Sequence, residues 1–253
     1  MEHARKYPIL TVACGPTNSI RGASYLSKLK NAIVIDVGGT TTDLGVIQNG
    51  FPRESSVAVT IGGVRTNFRM PDVVSIGLGG GSIVRCLGDG SVTVGPDSVG
   101  YQITKEAMGF GGDVMTATDI AVRLGMADVG DAQKAAEIPL ELAEKAMDVM
   151  RALVDDSLDA MKISNADSDV ILVGGGSIIL PENLAGAATV LKPEHFGCAN
   201  AIGSAISKVS GTYEQLIDYN VLPREQALEQ AKADAISLAV KTGAITETVE
   251  IIE

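Results

Sequence analysis

A predicted buried strand that ends in a glycine-rich turn constrains this chain most strongly. Residues 32–37 (AIVIDV) are β-branched and apolar except for Asp36, which is typical of a strand buried on both faces. Two glycines and three threonines follow this run, and a second apolar run begins at Leu44. The sequence therefore places a tight, polar turn at the end of a central strand.

The residues of this turn have the chemistry of an anion site. Gly38 and Gly39 can adopt positive φ angles and bring backbone N–H groups close to an anion. The hydroxyls of Thr40 and Thr41 can donate hydrogen bonds to phosphate oxygens. Asp36 cannot bind phosphate itself, but its carboxylate can hold Mg²⁺ or the waters of that ion. The structural alternative is an ordinary hairpin with an exposed aspartate.

Two further glycine-rich segments follow strand-like runs. Residues 174–177 (GGGS) leave a flat backbone surface against which a purine or ribose can lie; a plain strand-to-helix turn is the alternative. Residues 77–82 (GLGGGS) fit a bulge or crossing in the sheet as well as they fit a phosphate contact. Asp119 opens a predicted helix over residues 116–124, where it would either cap the helix or offer a carboxylate to a metal.

The pattern after the first strand predicts a three-stranded β-meander. Residues 44–48 begin the second strand, Asn49-Gly50 is a strong hairpin signal, and residues 56–61 (SVAVTI) supply the third strand. Strands then alternate with predicted helices. The fold class is therefore α/β, with a mixed sheet covered by flanking helices.

Three segments divide the chain. Residues 1–31 are predicted to be an N-terminal strand and loop segment, in which residues 14–22 (CGPTNSIRG) form a loop. Residues 32–209 form the main lobe. Residues 210–253 form a C-terminal extension that contains a helix and a final strand at residues 249–253 (VEIIE).

Apolar spacing predicts the long helices. Over residues 139–163, apolar residues recur at steps of three and four, with Pro139 near the first turn. A helix of small residues is predicted over residues 193–209. The helix of the C-terminal extension starts at Pro223 and stops near Gly243.

Composition excludes several classes of protein. The chain has 20 Lys+Arg against 31 Asp+Glu and a net charge of -11, which argues against a nucleic-acid partner. No apolar run reaches the roughly 18 residues of a membrane helix, so no membrane partner is expected. Three cysteines without C-x-x-C spacing fit a reducing cytoplasm, which is the expected location. The chain contains neither Gly-Lys nor G-x-S-x-G, and so neither a P-loop nor a nucleophile elbow.

Six segments together resemble the hydantoinase/oxoprolinase family, of the N-methylhydantoinase A type. In chain order they are NAIVIDVGGTTTDLGVIQNG, MPDVVSIGLGGGSIVR, VGPDSVG, TATDIAVRLG, DVILVGGGS and CANAIGSAIS. The resemblance covers roughly residues 9–209. Family members resemble the actin, sugar-kinase and Hsp70 superfamily, in which two ribonuclease-H-like lobes clamp ATP. The resemblance implies that this chain is the second lobe alone, an actin-like ATPase lobe that uses ATP and Mg²⁺ or another divalent cation.

The resemblance also implies roles for the glycine-rich segments. Residues 36–41 would be the second phosphate loop, and residues 174–177 the adenosine loop. The predicted cofactor-binding residues are Gly38, Gly39, Thr40, Thr41, Gly79, Gly80, Gly81, Gly174, Gly175, Gly176 and Ser177. The predicted catalytic carboxylates are Asp36 and Asp43, and the predicted metal ligands are Asp36 and Asp119.

Two loops depart from the family pattern. Residues 15–21 (GPTNSIR) replace a Gly-Pro-Ala-Gly-Gly-type loop, and the stretch after residues 94–98 lacks the family's Asp-Pro-Gly-Pro-Ala-Cys run. Because these loops would shape the substrate side, neither hydantoin nor oxoproline follows as the substrate.

The implied function is the nucleotide-binding domain of an ATP-dependent cyclic-amide hydrolase. Its partners would be a small cyclic amide, the missing N-terminal lobe of the same polypeptide and a second hydantoinase subunit. The face left open by the missing lobe would favour a homo-oligomer. Two alternatives stay open: a small sugar- or pantothenate-type kinase, which needs both phosphate loops, and a non-enzymatic ATP-sensing module of the actin type.

Overall fold

A computed structural model describes residues 5–6, 8–55, 60–61, 63–66, 70–162 and 164–252. The chain forms two compact units, Met1–Ala205 and Ile206–Glu253. The first unit contains the sheet and most of the helices. The second contains one long helix.

The first unit is built on a six-stranded mixed sheet. The strands of the chain are β1 (Ala32–Val37), β2 (Thr42–Gln48), β3 (Phe51–Pro52), β4 (Thr60–Ile61), β5 (Val64–Arg65), β6 (Val73–Ile76), β7 (Ser82–Cys86), β8 (Val92–Ser98), β9 (Ser168–Val173) and β10 (Ala187–Leu191). The main sheet has the order β10-β9-β1-β2-β3, and β6 also pairs with β2. β1 is antiparallel to β2 and parallel to β9, which is parallel to β10.

Helices cover both faces of this sheet. The α-helices are α1 (Cys14–Ser27), α2 (Ile103–Glu106), α3 (Ala117–Arg123), α4 (Ala132–Ala135), α5 (Leu140–Met161), α6 (Ala199–Ala205) and α7 (Arg224–Lys241). Ile33, Ile35 and Val37 of β1 belong to the core that α3 and α5 cover. Ala32 and Val34, which alternate with them, belong to a second core beneath α1 and α6. β1 is therefore buried on both faces, as its apolar run predicts.

The β-meander is confirmed for its first two strands and corrected for the third. β1 and β2 pair with Asp36 opposite Asp43, and a turn at Asn49-Gly50 leads into β3. The predicted third strand, residues 56–61, lies largely outside the described residues, and its Thr60–Ile61 part pairs with β5 in a separate hairpin. β6 pairs with β2 over residues 42–45, which leaves only the end of β2 for β3.

The predicted loop at residues 14–22 is wrong, because these residues begin α1. Glycine, proline and asparagine give this segment weak helix propensity, but Ile20 and Ala23 are buried against the sheet. Pro16 lies in the first turn, where a backbone N–H would have no helical partner. Tertiary packing therefore overrides local propensity in this segment.

The predicted long helices are confirmed. The predicted helix of small residues is shorter than expected, and the predicted C-terminal strand does not form over its described residues. α5 and α7 lie within the predicted bounds, whereas α6 spans only Ala199–Ala205 and follows a 3₁₀ turn at Phe196–Cys198. The predicted strand at residues 249–253 is wrong for residues 249–252, which have no regular structure. The described residues of the second unit contain no other strand with which they could pair.

No helix in the described part of the chain combines the length and apolar character needed to cross a membrane.

Candidate nucleotide-binding site

The three glycine-rich segments meet at the carboxyl end of β1. The carbonyl oxygens of Gly38 and Gly39 accept hydrogen bonds from the N–H groups of Gly80 and Gly81, at 3.0 and 2.7 Å. On the other side of the turn, a β-carbon on Gly176 would overlap the Gly38 carbonyl oxygen. Segments that lie far apart in sequence therefore form one site.

The turn after β1 presents unpaired donors. Gly38 N donates to Thr41 O at 2.8 Å and closes the turn. Gly39, Thr40 and Thr41 are exposed, and a β-carbon on Gly39 would meet no atom within 4 Å. Their backbone N–H groups, and the two threonine hydroxyls, donate to no acceptor among the described residues. Such a turn can offer several donors to one anion.

The segment Gly79–Gly81 supports the turn from behind. All three glycines are buried, and a β-carbon on Gly79 would lie 2.5 Å from the backbone nitrogen of Thr40. A β-carbon on Gly81 would lie 2.9 Å from Ser98 Oγ. Of the two interpretations, this geometry favours a close backbone crossing over a direct phosphate contact.

Asp36 and Asp43 lie opposite each other on β1 and β2, and so on the same face of the sheet. Burial raises the pKa of Asp36, a hydrogen bond from Ser19 lowers it, and the nearby Asp43 carboxylate raises it. Ser75 Oγ donates to Asp43 Oδ1. The site thus contains one half-buried carboxylate whose negative charge is poorly compensated.

The predicted adenosine loop packs directly against Asp36. Gly174 has φ 87° and ψ 149°, and a β-carbon there would overlap Asp36 Oδ1. Gly175 is exposed, and a β-carbon there would meet no atom within 4 Å. Ser177 Oγ is buried and has no hydrogen-bond partner in the described part of the chain. An open glycine backbone beside an unpartnered hydroxyl fits a polar ligand.

Asp119 is corrected from a metal ligand to a helix cap. Its Oδ1 accepts from Gly109 N at 2.7 Å, and its Oδ2 accepts from the backbone nitrogen and Oγ1 of Thr116 at 2.8 and 2.7 Å. The side chain is only 1% exposed and completes a capping box at the start of α3. Both oxygens are thus already used by protein donors.

The residues present fit Mg²⁺ only together with a nucleotide. Within the described residues, no group of three or more His, Cys, Asp or Glu side chains could hold a metal. Mg²⁺ commonly binds through one or two carboxylates, several waters and substrate phosphates. Asp36 beside a phosphate-binding turn would suit that mode of binding.

The sequence did not point to Ser19 and Asn200, which join α1 to α6. Ser19 of α1 is fully buried, and its Oγ accepts a hydrogen bond from Asn200 Nδ2 of α6 at 3.0 Å. The hydroxyl of Ser19 also acts to lower the pKa of Asp36. The sequence predicts a loop at residues 14–22, which include Ser19, and no pattern pairs Ser19 with a residue so distant in sequence. Gly22, where a β-carbon would overlap the carbonyl oxygen of Ala199, is a local signal of a close helix contact.

Two curated proteins match parts of the chain. The acetophenone carboxylase gamma subunit of Aromatoleum aromaticum is 32% identical over 115 residues, which cover 44% of this chain and 16% of that protein. An uncharacterized protein of Methanocaldococcus jannaschii is 26% identical over 173 residues, which cover 63% of this chain and 25% of that protein. The chain therefore spans a quarter or less of the length of these relatives.

Two solved structures share the fold. The ATP-dependent caprolactamase from Pseudomonas jessenii has a TM-score of 0.70 at 22% identity, over 90% of this chain and 38% of that one. Nucleotide-free acetone carboxylase has a TM-score of 0.63 at 20% identity, over 93% of this chain and 39% of that one. The predicted ribonuclease-H-like α/β lobe with a mixed sheet is confirmed. The family model for hydantoinase/oxoprolinase proteins matches residues 1–129, just over half of the 253 residues, and the chain belongs to the hydantoinase/oxoprolinase family.

Proposed function

We propose that this chain is the nucleotide-binding lobe of an enzyme that uses Mg·ATP to open cyclic amides. One observation supports this most directly: the turn at residues 38–41 exposes unpaired N–H and hydroxyl donors beside the half-buried carboxylate of Asp36. Family membership and the fold shared with an ATP-dependent caprolactamase support the ATP-dependent amide chemistry.

The residues of the turn would bind the phosphates. The N–H groups of Gly39 and Thr40 and the threonine hydroxyls would donate to phosphate oxygens, while Gly79–Gly81 keep the turn in place from behind. Gly175 would lie against the nucleoside, and Ser177 Oγ would find there the partner that it lacks. ATP would supply the phosphoryl group that makes the amide carbonyl cleavable by water.

Asp36 would hold Mg²⁺ or its waters. Burial and the Asp43 carboxylate both raise the pKa of Asp36, because both disfavour its charged form. A cation bound at this face would stabilise the charged form of Asp36. A carboxylate whose pKa is shifted by burial and a neighbouring charge, beside a binding turn, is a candidate functional residue. Asp43, which lies opposite, would add to the negative potential that attracts the ion.

The rest of the active site would come from other parts of a larger enzyme. The chain covers only 38% and 39% of the two solved structures with this fold. Phosphoryl transfer needs donors on both sides of the nucleotide and exclusion of water. We propose that an N-terminal lobe of the same polypeptide supplies the opposite side, and that a second hydantoinase subunit is a further partner. Three free cysteines support a cytoplasmic location as part of the proposal.

Titration calorimetry and a ring-opening assay test the proposal. We expect the isolated chain to bind Mg·ATP weakly, and binding to be lost in Gly39→Asp, which places a negative charge in the turn. The matched control is Gly88→Asp, because a β-carbon on exposed Gly88 also meets no atom within 4 Å. Caprolactam, hydantoin and 5-oxoproline are then offered with ATP to the chain, with and without the proposed partner lobe.

The outcomes separate the candidate functions. Ring opening that requires ATP and both lobes supports the proposal. ATP hydrolysis without turnover of any cyclic amide would instead favour an ATP-sensing module. Full turnover by the isolated chain would contradict the two-lobe proposal. If the chain bound no Mg·ATP either alone or with the partner lobe, the nucleotide site itself would be contradicted.

A further inference from the structure

The loop that follows β10 lies beside the glycine loop that follows β9. The N–H of Gly174 donates to the carbonyl oxygen of Phe196 at 3.0 Å. Phe196 N in turn donates to Pro193 O at 3.2 Å, and this turn brings the Phe196 ring back to Lys192. Gly175, next to Gly174, is exposed, and a β-carbon there would meet no atom within 4 Å. The loop that carries Lys192 and Phe196 therefore adjoins the open glycine backbone.

The ammonium group of Lys192 has an aromatic partner but no acceptor oxygen. Its Nζ lies 4.3 Å from the centroid of the Phe196 ring. Among the described residues, no oxygen accepts a hydrogen bond from Nζ or lies within ion-pair distance of it. Burial lowers the pKa of Lys192, and the charge of Glu182 raises it. A partly buried ammonium without an oxygen partner has three donors available for a ligand.

The end of β10 lies two strands away from the turn that would bind the phosphates. β1, β9 and β10 are parallel neighbours, so their carboxyl ends lie side by side at one edge of the sheet. Adjacent strands are about 4.8 Å apart, which separates the ends of β1 and β10 by about 10 Å. Ligands of open α/β sheets bind along this edge. A nucleotide with its phosphates at β1 and its sugar at Gly175 would therefore have its base at the end of β10.

The Phe196 ring is itself fixed in place. It packs against the core beneath α1 and α6, while its backbone is hydrogen-bonded to Gly174. His195, which precedes it, has φ 63°, a conformation that few residues other than glycine adopt. Strained backbone of this kind is concentrated at ligand-binding sites. The ring is therefore a firm support for the ammonium of Lys192.

A purine base has the acceptor that this position can use. Adenine and guanine both carry the ring nitrogen N7, which accepts hydrogen bonds, whereas an ammonium group only donates them. Cation–π attraction to Phe196 limits the rotation of the flexible Lys192 side chain. Less rotamer freedom is then lost when Lys192 donates to a base.

We propose that Lys192 and Phe196 form the base end of the nucleotide site, in which Lys192 Nζ donates to a ring nitrogen of a purine and the Phe196 ring holds the ammonium. This proposal rests on the proposed function, because the phosphate-binding turn sets the direction in which the nucleotide lies. The alternative is that the stem of Lys192 only covers the Phe196 ring and stabilises the loop. Only the first role distinguishes a nucleotide from a polyphosphate that has no base.

Titration calorimetry with Mg·ATP and with Mg·tripolyphosphate tests the base contact. Lys192→Met keeps the length of the side chain and removes its charge. We expect ATP affinity to fall roughly 5- to 30-fold and tripolyphosphate affinity to change less than roughly twofold. Salt at about 0.15 M gives a Debye length of about 8 Å, which screens a general attraction between the ammonium and phosphates. An unchanged ATP affinity, or equal losses for ATP and tripolyphosphate, would overturn the proposal.

Lys28→Met is the matched control. Lys28 Nζ lies 3.9 Å from the centroid of the Tyr25 ring, and Lys28 lies four positions before β1 begins, at the amino end of that strand. Neither ATP nor tripolyphosphate affinity should change in this variant. A loss of ATP affinity as large as that in Lys192→Met would show that the effect is not specific to the end of β10, and would overturn the proposal.

Phe196→Leu tests the aromatic support. Leucine keeps an apolar side chain but has no π face, so ATP affinity should fall roughly 2- to 5-fold while tripolyphosphate affinity stays unchanged. A lower melting temperature with an unchanged ratio of the two affinities would identify a loop-stabilising role and overturn the role given to Phe196.

A measurement on the parent chain does not depend on whether the variants fold. Nuclear Overhauser effects should join the base protons of bound ATP to the ring protons of Phe196 and the ε-methylene protons of Lys192. Their absence in a chain saturated with Mg·ATP would overturn the proposal.

Gly39→Asp separates this proposal from the proposed function. If Gly39→Asp retains the affinity for both ATP and tripolyphosphate, the phosphate-binding turn is wrong and the base end falls with it. If Gly39→Asp abolishes both affinities but Lys192→Met retains ATP affinity, only the base end is wrong.

Discussion

A β-carbon on Gly174 would overlap the carboxylate oxygen Oδ1 of Asp36, although 138 positions separate the two residues in sequence. Gly174 also has φ 87° and ψ 149°, a conformation that is essentially restricted to glycine. The loop after β9 is thus fitted directly onto the end of β1. Any side chain at position 174 must disturb both.

Gly174→Ala should therefore destabilise the chain. We expect a loss of about 2–4 kcal/mol in the free energy of unfolding, from backbone strain and from displacement of Asp36. Urea denaturation measures it. Gly175→Ala is the matched control, because its β-carbon meets no atom within 4 Å and should change stability by less than about 1 kcal/mol. Equal losses in the two variants would contradict the close fit at Gly174.

Gly39→Ala and Gly79→Ala should separate binding from stability. A methyl group on Gly39 has open space but would lie over the exposed donors, so ATP affinity should fall about tenfold with little change in stability. A methyl group on Gly79 would lie 2.5 Å from Thr40 N, so Gly79→Ala should lower the melting temperature. Calorimetry and thermal denaturation measure the two effects. If Gly39→Ala lowered the melting temperature and only Gly79→Ala lowered ATP affinity, the turn would not be the ligand-binding face.

Asp36→Asn should become more stable relative to the parent as the pH rises. Burial raises the pKa of Asp36 above its ordinary value of 3.8, so the folded chain holds this proton to higher pH than the unfolded chain does. The charged carboxylate therefore destabilises the fold as the pH rises from 3.8 through the raised pKa, and asparagine removes that effect. Urea denaturation across this pH range measures the difference.

Asp89→Asn is a control for this pH experiment, because its stability relative to the parent should change with pH in the opposite direction. Hydrogen bonds from Ser91 lower the pKa of Asp89, so its charged form stabilises the fold, and that contribution is lost as the pH falls through the lowered pKa. Relative to the parent, Asp89→Asn should lose stability as the pH rises. The same trend in both variants would mean that the pH dependence does not come from these carboxyl groups.

Leu158→Ala should test the core beneath the site. Leu158 of α5 is 0% exposed, whereas Leu153 of the same helix is 37% exposed. Removing the buried side chain should cost about 2–5 kcal/mol of unfolding free energy, and Leu153→Ala less than about 1 kcal/mol. Chemical denaturation of the two variants measures the contrast. Similar losses would contradict the placement of this face of α5 in the core.

The sequence predicted the parts of the molecule whose structure depends on local pattern. Residues 32–37 form the expected strand because burial on both faces requires a continuous apolar run. Residues 14–22 were missed because their helix depends on packing against Ala199, which no local pattern encodes. The short β3 was missed for a similar reason, since β6 competes with it for β2.

In the candidate site, too, the residues set by local pattern could be predicted, and those set by distant contacts could not. Gly38, Gly39 and Asp36 are recognisable because turn geometry and metal chemistry constrain adjacent residues. Ser19 and Asn200 are not, because their contact joins residues 181 positions apart. Asp119 had two interpretations in the sequence, and the structure selects the cap because the carboxylate lies three residues after Thr116 and bonds it directly.

The parallel pairing of β1 with β9 also bears on how the lobe is synthesised and folds. β1 and β2 can form a hairpin early, whereas the partner on the other edge of β1 ends only at Val173. Closing so long a loop is entropically unfavourable, and parallel pairing is slow. A nascent chain emerging from the ribosome would therefore display an unpaired apolar strand edge until β9 is available, the kind of surface that chaperones bind and that aggregates when left uncovered.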